Sequence, residues 1–69
     1  MRAISGKMLC KIVEQNGWKL KRVTGSHHIY AKEGFDAILS IPLYGNQDLP
    51  KGTLKSIMKD AELTKEDLG

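Results

Sequence analysis

The spacing of the hydrophobic residues changes twice along the chain, and this change limits the possible folds more than any other feature. Near the start, Leu9, Ile12 and Val13 recur at the spacing of a helix. From Trp18 the period becomes two, as in a strand, and helical spacing returns at Leu54. The sequence therefore predicts a helix, a group of strands and a second helix in a two-layer α+β domain.

The first helix is predicted from about Ser5 to Asn16. Ser5 is a favoured N-cap residue, and Asn16-Gly17 is a typical C-terminal stop. Cys10 lies off the apolar stripe, and we interpret it as a small, partly buried residue rather than a nucleophile. The apolar residues at helical spacing are Met8, Leu9, Ile12 and Val13.

The second helix is predicted to follow Leu49-Pro50-Lys51-Gly52-Thr53 and to end near Glu62. Thr64-Lys65-Glu66-Asp67 is similar to a capping box with Asp in place of Glu, so we expect a short third helical turn. The apolar positions of the second helix are Leu54, Ile57, Met58 and Ala61.

Three short strands joined by tight turns are predicted between the helices, in an antiparallel meander. They cover residues 18–23, 27–31 and 37–41, and Pro42 ends the third. Both helices must bury their apolar stripes, so we expect them on one face of the sheet, with the other face open for chemistry. In the first strand, strict alternation puts Trp18, Leu20 and Arg22 on one face and Lys19, Lys21 and Val23 on the other.

Size and composition exclude several classes of protein. We expect residues 1–69 to form a single domain, because 69 residues cannot build separate cofactor and substrate domains. The lone Cys10 excludes an intramolecular disulfide and a cysteine metal cluster. No apolar run approaches the ~20 residues needed to span a bilayer, and nothing resembles a secretory signal. We expect a soluble, cytoplasmic protein and predict no metal or cofactor.

The formal net charge of +3 is unevenly distributed. Residues 1–32 hold seven basic residues and one acidic residue, whereas the remainder holds four basic and seven acidic residues. A basic region of this kind can attract a polyanion such as RNA. Lysines that are merely solvated remain the commoner explanation.

The residues best suited to chemistry are Gly25-Ser26-His27-His28, which follow the basic run Lys19-Leu20-Lys21-Arg22. Imidazole exchanges a proton near neutral pH, so one histidine can act as a general acid or base beside cations that attract a phosphate. Ser26 either stabilises charge with its hydroxyl or serves only the turn.

The two histidines are not expected to share a site, because adjacent strand residues point to opposite faces. His28 is expected on the face of Tyr30, and His27 on the face of Ile29 and Ala31. The alternative, which is commoner for an isolated His-His pair, is that both are ordinary half-exposed strand residues. A zinc site is disfavoured, since no carboxylate, Cys or further His stands at ligand spacing.

Five segments together resemble the HicA family of toxin ribonucleases, also called YcfA-like, from bacterial and archaeal toxin–antitoxin modules. The resemblance spans nearly the whole chain. The matching segments are Ser5-Gly6-Lys7, Asn16-Gly17-Trp18, Gly25-Ser26-His27, Ile41-Pro42 and Leu49-Pro50-Lys51-Gly52-Thr53-Leu54.

The resemblance implies a fold like the double-stranded RNA-binding domain, an endoribonuclease that cleaves mRNA, and a HicB antitoxin that masks the active site. The family's catalytic histidine directly follows Gly-Ser, which corresponds to His27. Many members carry a second His two residues after the Pro that ends the third strand; Tyr44 stands there in this chain, which leaves a single-histidine mechanism. We therefore predict His27 as the catalytic residue of a metal-independent ribonuclease. The predicted RNA contacts are Lys19, Lys21, Arg22, Ser26 and His28.

Two other functions agree with the residues taken alone. A non-catalytic RNA-binding module of the same fold would bind RNA in a salt-dependent way without cleaving it. A small interaction protein would use its open sheet face only for a protein partner and would have no affinity for RNA.

Overall fold

The computed structural model of the chain describes residues 3–45 and 47–68 and confirms the predicted order of elements. The three strands form one antiparallel sheet in the order β1-β2-β3, which is compatible with a fold like the double-stranded RNA-binding domain. The predicted domain over residues 1–69 also includes residues 1, 2, 46 and 69, which lie outside this description. The elements are α1 (Gly6–Gln15), β1 (Lys19–Thr24), β2 (His27–Ala31), β3 (Leu39–Pro42), α2 (Lys51–Ala61) and the 3-10 helix η1 (Lys65–Leu68).

Helix α1 is capped by the residues that the sequence predicts. The side-chain oxygen of Ser5 accepts a hydrogen bond of 3.2 Å from the backbone N–H of Met8, and Asn16 is the C-cap. The N-terminus of α1 crosses the end of β3 so closely that a Cβ on Gly6 would collide with the carbonyl oxygen of Pro42. Glycine at position 6 therefore permits the crossing of α1 over β3.

The core lies between the two helices and one face of the sheet. Tyr30 in β2 and Leu39 and Ile41 in β3 are buried there. Both helices pack on this face, as predicted, but Met8 is 49% exposed and Cys10 is buried in its place. The buried helical side chains are Leu9, Cys10, Ile12, Val13, Leu54, Ile57, Met58 and Ala61.

The last third of the chain follows the prediction closely. Helix α2 ends at Ala61, and Glu62, whose backbone is left-handed (φ 56°), forms the C-cap. The carboxylate of Asp67 accepts a hydrogen bond of 2.8 Å from the backbone N–H of Thr64, as in a capping box. The longest helix in the described residues has 11 residues, and none there is long and apolar enough to cross a membrane.

Strand β1 contains a β-bulge. Leu20 pairs with Tyr30, and Arg22 pairs with Ile29, the next residue of β2. Lys21 is therefore an extra residue on β1 with no counterpart on β2.

The bulge overturns the predicted faces of β1. Beyond it Arg22 lies on the face of Ile29, away from the helices, and Val23 lies opposite His28 on the helix face. The prediction that Arg22 shares a face with Leu20, and Val23 a face with Lys19, is therefore wrong, because strict alternation does not continue through an inserted residue.

Candidate functional site

The two histidines lie on opposite faces of β2, as predicted for adjacent strand residues. His28 pairs with Ile41, whose side chain is buried in the core, so His28 is on the helix face. His27 pairs with Pro42 and lies on the face turned away from the helices, which we call the open face. Both histidines are half-buried. A molecule bound on one face can therefore contact only one of the two imidazoles.

The bulge in β1 gathers cations on the side of His27. Lys19 and Arg22 pair with β2 residues that share the face of His27, and the inserted Lys21 lines a cleft together with Lys19. In a regular strand, Lys21 and Arg22 would point to opposite faces. We call Lys19, Lys21 and Arg22, all exposed, the cation strip.

The turn that precedes His27 is held against the segment after β3. Gly25 has a φ of 58°, a conformation that glycine adopts without strain. The carbonyl oxygen of Ser26 accepts a hydrogen bond of 2.7 Å from the backbone N–H of Leu43, while the Ser26 residue is exposed. His27 therefore begins β2 at a fixed turn, with the Ser26 hydroxyl next to it in sequence.

The helix face of the sheet is not fully used by packing. A cleft of about 520 Å³ lies there between α1 and the β1–β2 hairpin. It remains open because β1 is an edge strand whose six residues are all exposed, with Leu20 at 45%. We call it the helix-side cleft; its lining residues are Lys7, Cys10, Lys11, Glu14, Leu20, His28, Tyr30, Leu43 and Gly45.

His28 lies in the helix-side cleft beside groups that retain their protons. Its Nδ1 atom is 3.9 Å from the Sγ atom of Cys10, which is 6% exposed. Burial is the main cause that raises the pKa of the Cys10 thiol, and the charge of Glu14 raises it further, whereas a hydrogen bond with Tyr30 opposes both. A thiol of this kind is a poor nucleophile, in agreement with our interpretation of Cys10.

Tyr30 joins β2 to α1 across the helix-side cleft. Its hydroxyl donates a hydrogen bond to the carboxylate of Glu14. Burial, followed by this hydrogen bond, raises the pKa of Tyr30 well above its usual range. Tyr30 is therefore a neutral structural donor rather than an acid or base.

A comparison with protein families identifies the family of this chain. The model described as HicA toxin of bacterial toxin-antitoxin matches residues 6–63, which include both α-helices and all three strands. The chain belongs to the HicA toxin family. No curated protein matches this HicA chain.

In this HicA chain the structure separates the predicted site residues into two groups. His27, Ser26 and the cation strip lie at the open face or the turn beside it, whereas His28 lies in the helix-side cleft. Within residues 3–45 and 47–68, no group of three or more His, Cys, Asp or Glu side chains is placed to hold a metal ion. Of the predicted site residues, one imidazole, one hydroxyl and three cations therefore lie on the open face or at the turn beside it.

Sequence reasoning missed the bulge in this HicA chain, although the sequence holds a signal for it. The exposed apolar residues of β1 on the helix face are Leu20 and Val23, which are three positions apart instead of two. A spacing of three within a strand indicates one inserted residue. That signal assigns Lys21 and Arg22 to a common face.

Proposed function

We propose that this HicA toxin is an endoribonuclease that cleaves mRNA on the open face, with His27 as the general base or acid. The observation that carries the proposal is the bulge, which brings Arg22 to the face that His27 shares with Lys19. Cations in a row attract the RNA backbone, and an imidazole exchanges protons near neutral pH. Charge and proton transfer therefore meet on one surface.

The proposed reaction uses the 2′-hydroxyl of the RNA as the nucleophile. His27 accepts the proton of that hydroxyl, and the 2′ oxygen forms a bond to the adjacent phosphorus. The bond between phosphorus and the 5′ oxygen then breaks, and this oxygen leaves with a proton from solvent or from the imidazolium. The products are a 2′,3′-cyclic phosphate and a 5′-hydroxyl end. Because DNA lacks the 2′-hydroxyl, the reaction selects RNA.

The residues around His27 have different proposed roles. Arg22 stabilises the negative charge that develops on the phosphate, and Lys21 and Lys19 hold the backbone further along β1. The Ser26 hydroxyl donates a hydrogen bond to a phosphate oxygen at the turn. His28 would reach RNA only from the helix-side cleft, so it takes no part in this reaction.

We also propose that a HicB-type antitoxin is the protein partner of this chain. Membership in a toxin family of toxin–antitoxin modules supports a partner of that kind. An antitoxin that covers the open face would shield His27 and the cation strip from RNA together. This complex is the proposed inactive state of the toxin.

Growth after induced expression tests the proposal. The unaltered chain should arrest growth and degrade mRNA with 2′,3′-cyclic phosphate ends, whereas the His27→Ala chain should do neither. Equal arrest by both chains would contradict the role of His27. Intact mRNA in both cultures, together with salt-dependent RNA binding by the purified chain, would favour the non-catalytic binding module.

A further inference from the structure

A second cleft lies on the hairpin at the end opposite to His27. It measures about 440 Å³ and is lined by Gly17, Lys19, Lys21, Ala31, Lys32 and Glu33; we call it the lysine cleft. We propose that the lysine cleft binds one backbone phosphate of the RNA strand that is cleaved at His27. This inference rests on the proposed function and adds to it a minimum length of substrate.

The charge of the lysine cleft fits a phosphodiester. The lining of this cleft contains three lysines, Lys19, Lys21 and Lys32, and one acidic residue, Glu33. The net charge of the lining is therefore positive, and its concave shape allows several ammonium groups to contact one anion. Lysine binds phosphate as a point charge without a fixed hydrogen-bond geometry, so this site would read the RNA backbone and not the bases.

Lys32 is already held in position within the lysine cleft. Its ammonium donates a hydrogen bond of 2.7 Å to the carbonyl oxygen of Asn16 and lies 4.9 Å from the ring centroid of Phe35. A cation that is ordered before binding loses little conformational freedom when a phosphate arrives. Gly17 leaves room for Lys32, since a Cβ there would lie 3.2 Å from the lysine Cε.

The distance between the lysine cleft and His27 implies different phosphates at the two places. His27 and Ala31 are four residues apart on β2, which corresponds to about 13 Å at ~3.3 Å per residue. Phosphates of a stacked strand recur every ~3.4 Å along its axis, so about 13 Å is at most about four nucleotides, and fewer in an extended strand. A dinucleotide cut at His27 would therefore not reach the lysine cleft.

Binding of oligoribonucleotides to the His27→Ala chain tests this inference without cleavage. Affinity should increase from a dinucleotide to an octanucleotide of the same repeated base. We call the ratio of octanucleotide affinity to dinucleotide affinity the gain with length. The double variant Lys19→Gln with Lys21→Gln, made in the His27→Ala chain, should reduce this gain by about tenfold. The matched control is Lys55→Gln with Lys59→Gln on α2, which removes the same charge from exposed positions and should leave the gain unchanged.

Two results separate this inference from the proposed function. If the Lys19 and Lys21 variant retains the full gain with length, or if the α2 control loses it equally, the lysine cleft does not bind the strand. Alternatively, the gain falls in the Lys19 and Lys21 variant as expected, while the unaltered chain does not cleave any oligoribonucleotide. In that case the cleavage proposal fails and the phosphate site stands. Glu33→Gln should tighten binding of the octanucleotide only, and weaker binding would contradict the proposed charge balance.

Discussion

The open face and the helix-side cleft present opposite environments to two adjacent histidines. On the open face, the half-buried His27 shares the sheet with an exposed cation strip. In the helix-side cleft, His28 stands beside a buried thiol and near the hydrogen bond between Tyr30 and Glu14. The same residue type therefore has a polar, anion-attracting setting on one face and a partly apolar, structural setting on the other.

The difference shows how much a single inserted residue can change a small sheet. Without the bulge, alternation would put Arg22 and Leu20 on the same face. With it, Arg22 moves to the face of His27 while Leu20 stays on the helix face. A change of one residue in register thus decides which histidine shares a face with Arg22.

The largest expected effect on stability is at the close crossing of α1 over β3. Gly6→Ala would put a methyl group against the carbonyl of Pro42, so the free energy of unfolding should fall by about 3 kcal/mol. Urea denaturation measures the change. Gly52→Ala is the matched control: nothing lies within 4 Å of its added Cβ, and alanine in α2 should stabilise by up to about 1 kcal/mol. Unchanged stability of Gly6→Ala would contradict the close crossing.

Removal of one cation from each region sharpens the comparison of the two faces. Arg22→Gln on the open face should lower the single-turnover rate of RNA cleavage by about 100-fold, since it removes a charge at the reacting phosphate. Lys11→Gln, at the rim of the helix-side cleft, should leave that rate nearly unchanged. Equal losses of cleavage rate in the two variants would contradict the placement of the reacting phosphate on the open face.

The hydrogen bond between Tyr30 and Glu14 should matter for stability and not for cleavage. Tyr30→Phe keeps the ring and removes the donor, so the free energy of unfolding should fall by about 1 kcal/mol. The cleavage rate of the folded variant should equal that of the unaltered chain. A variant that is stable but cleaves RNA slowly would place Tyr30 in the reaction.

The pH dependence of stability gives a second readout of Tyr30. Its pKa is raised in the folded chain above the ordinary value of 10.0, first by burial and then by the bond to Glu14. The folded state then keeps a proton that the unfolded state releases, so this contribution to stability is complete below pH 10 and declines as the pH rises above it. Above about pH 10, stability should fall more steeply in the unaltered chain than in Tyr30→Phe.

The smallest effect is expected at the exposed wall of the helix-side cleft. Leu20→Ser should change the free energy of unfolding by less than about 0.5 kcal/mol, because the side chain is 45% exposed. RNA cleavage should also be unaffected. Loss of cleavage in a fully folded Leu20→Ser chain, checked by circular dichroism, would mean that RNA enters this cleft.

Most of the fold was predictable because it follows from short-range rules. Ser5 caps α1, Asn16 ends it, and Asp67 returns to the Thr64 backbone, all through contacts between residues close in sequence. The stripe of α2 is buried at the four positions predicted, since its spacing matches one helical face. The start of β3 was predicted two residues early, at residue 37, because β propensity does not say where pairing begins.

The candidate site was only partly predictable because its geometry depends on register. Alternation correctly separated His27 from His28, but the bulge that aligns Lys21 with Arg22 depends on pairing between strands. The contribution of Lys32 to the lysine cleft was also missed. It depends on a contact with Asn16, which is 16 residues away in sequence.

In the proposed function, RNA is cleaved on the open face, with His27 as the reacting side chain. The most direct test is the single-turnover cleavage of one octaribonucleotide by purified His27→Ala and His28→Ala chains, each shown to be folded. We expect His27→Ala to lose at least about 100-fold in rate and His28→Ala to remain close to the unaltered chain. The reverse pattern, with His28→Ala inactive and His27→Ala active, would place the reaction in the helix-side cleft and contradict this account.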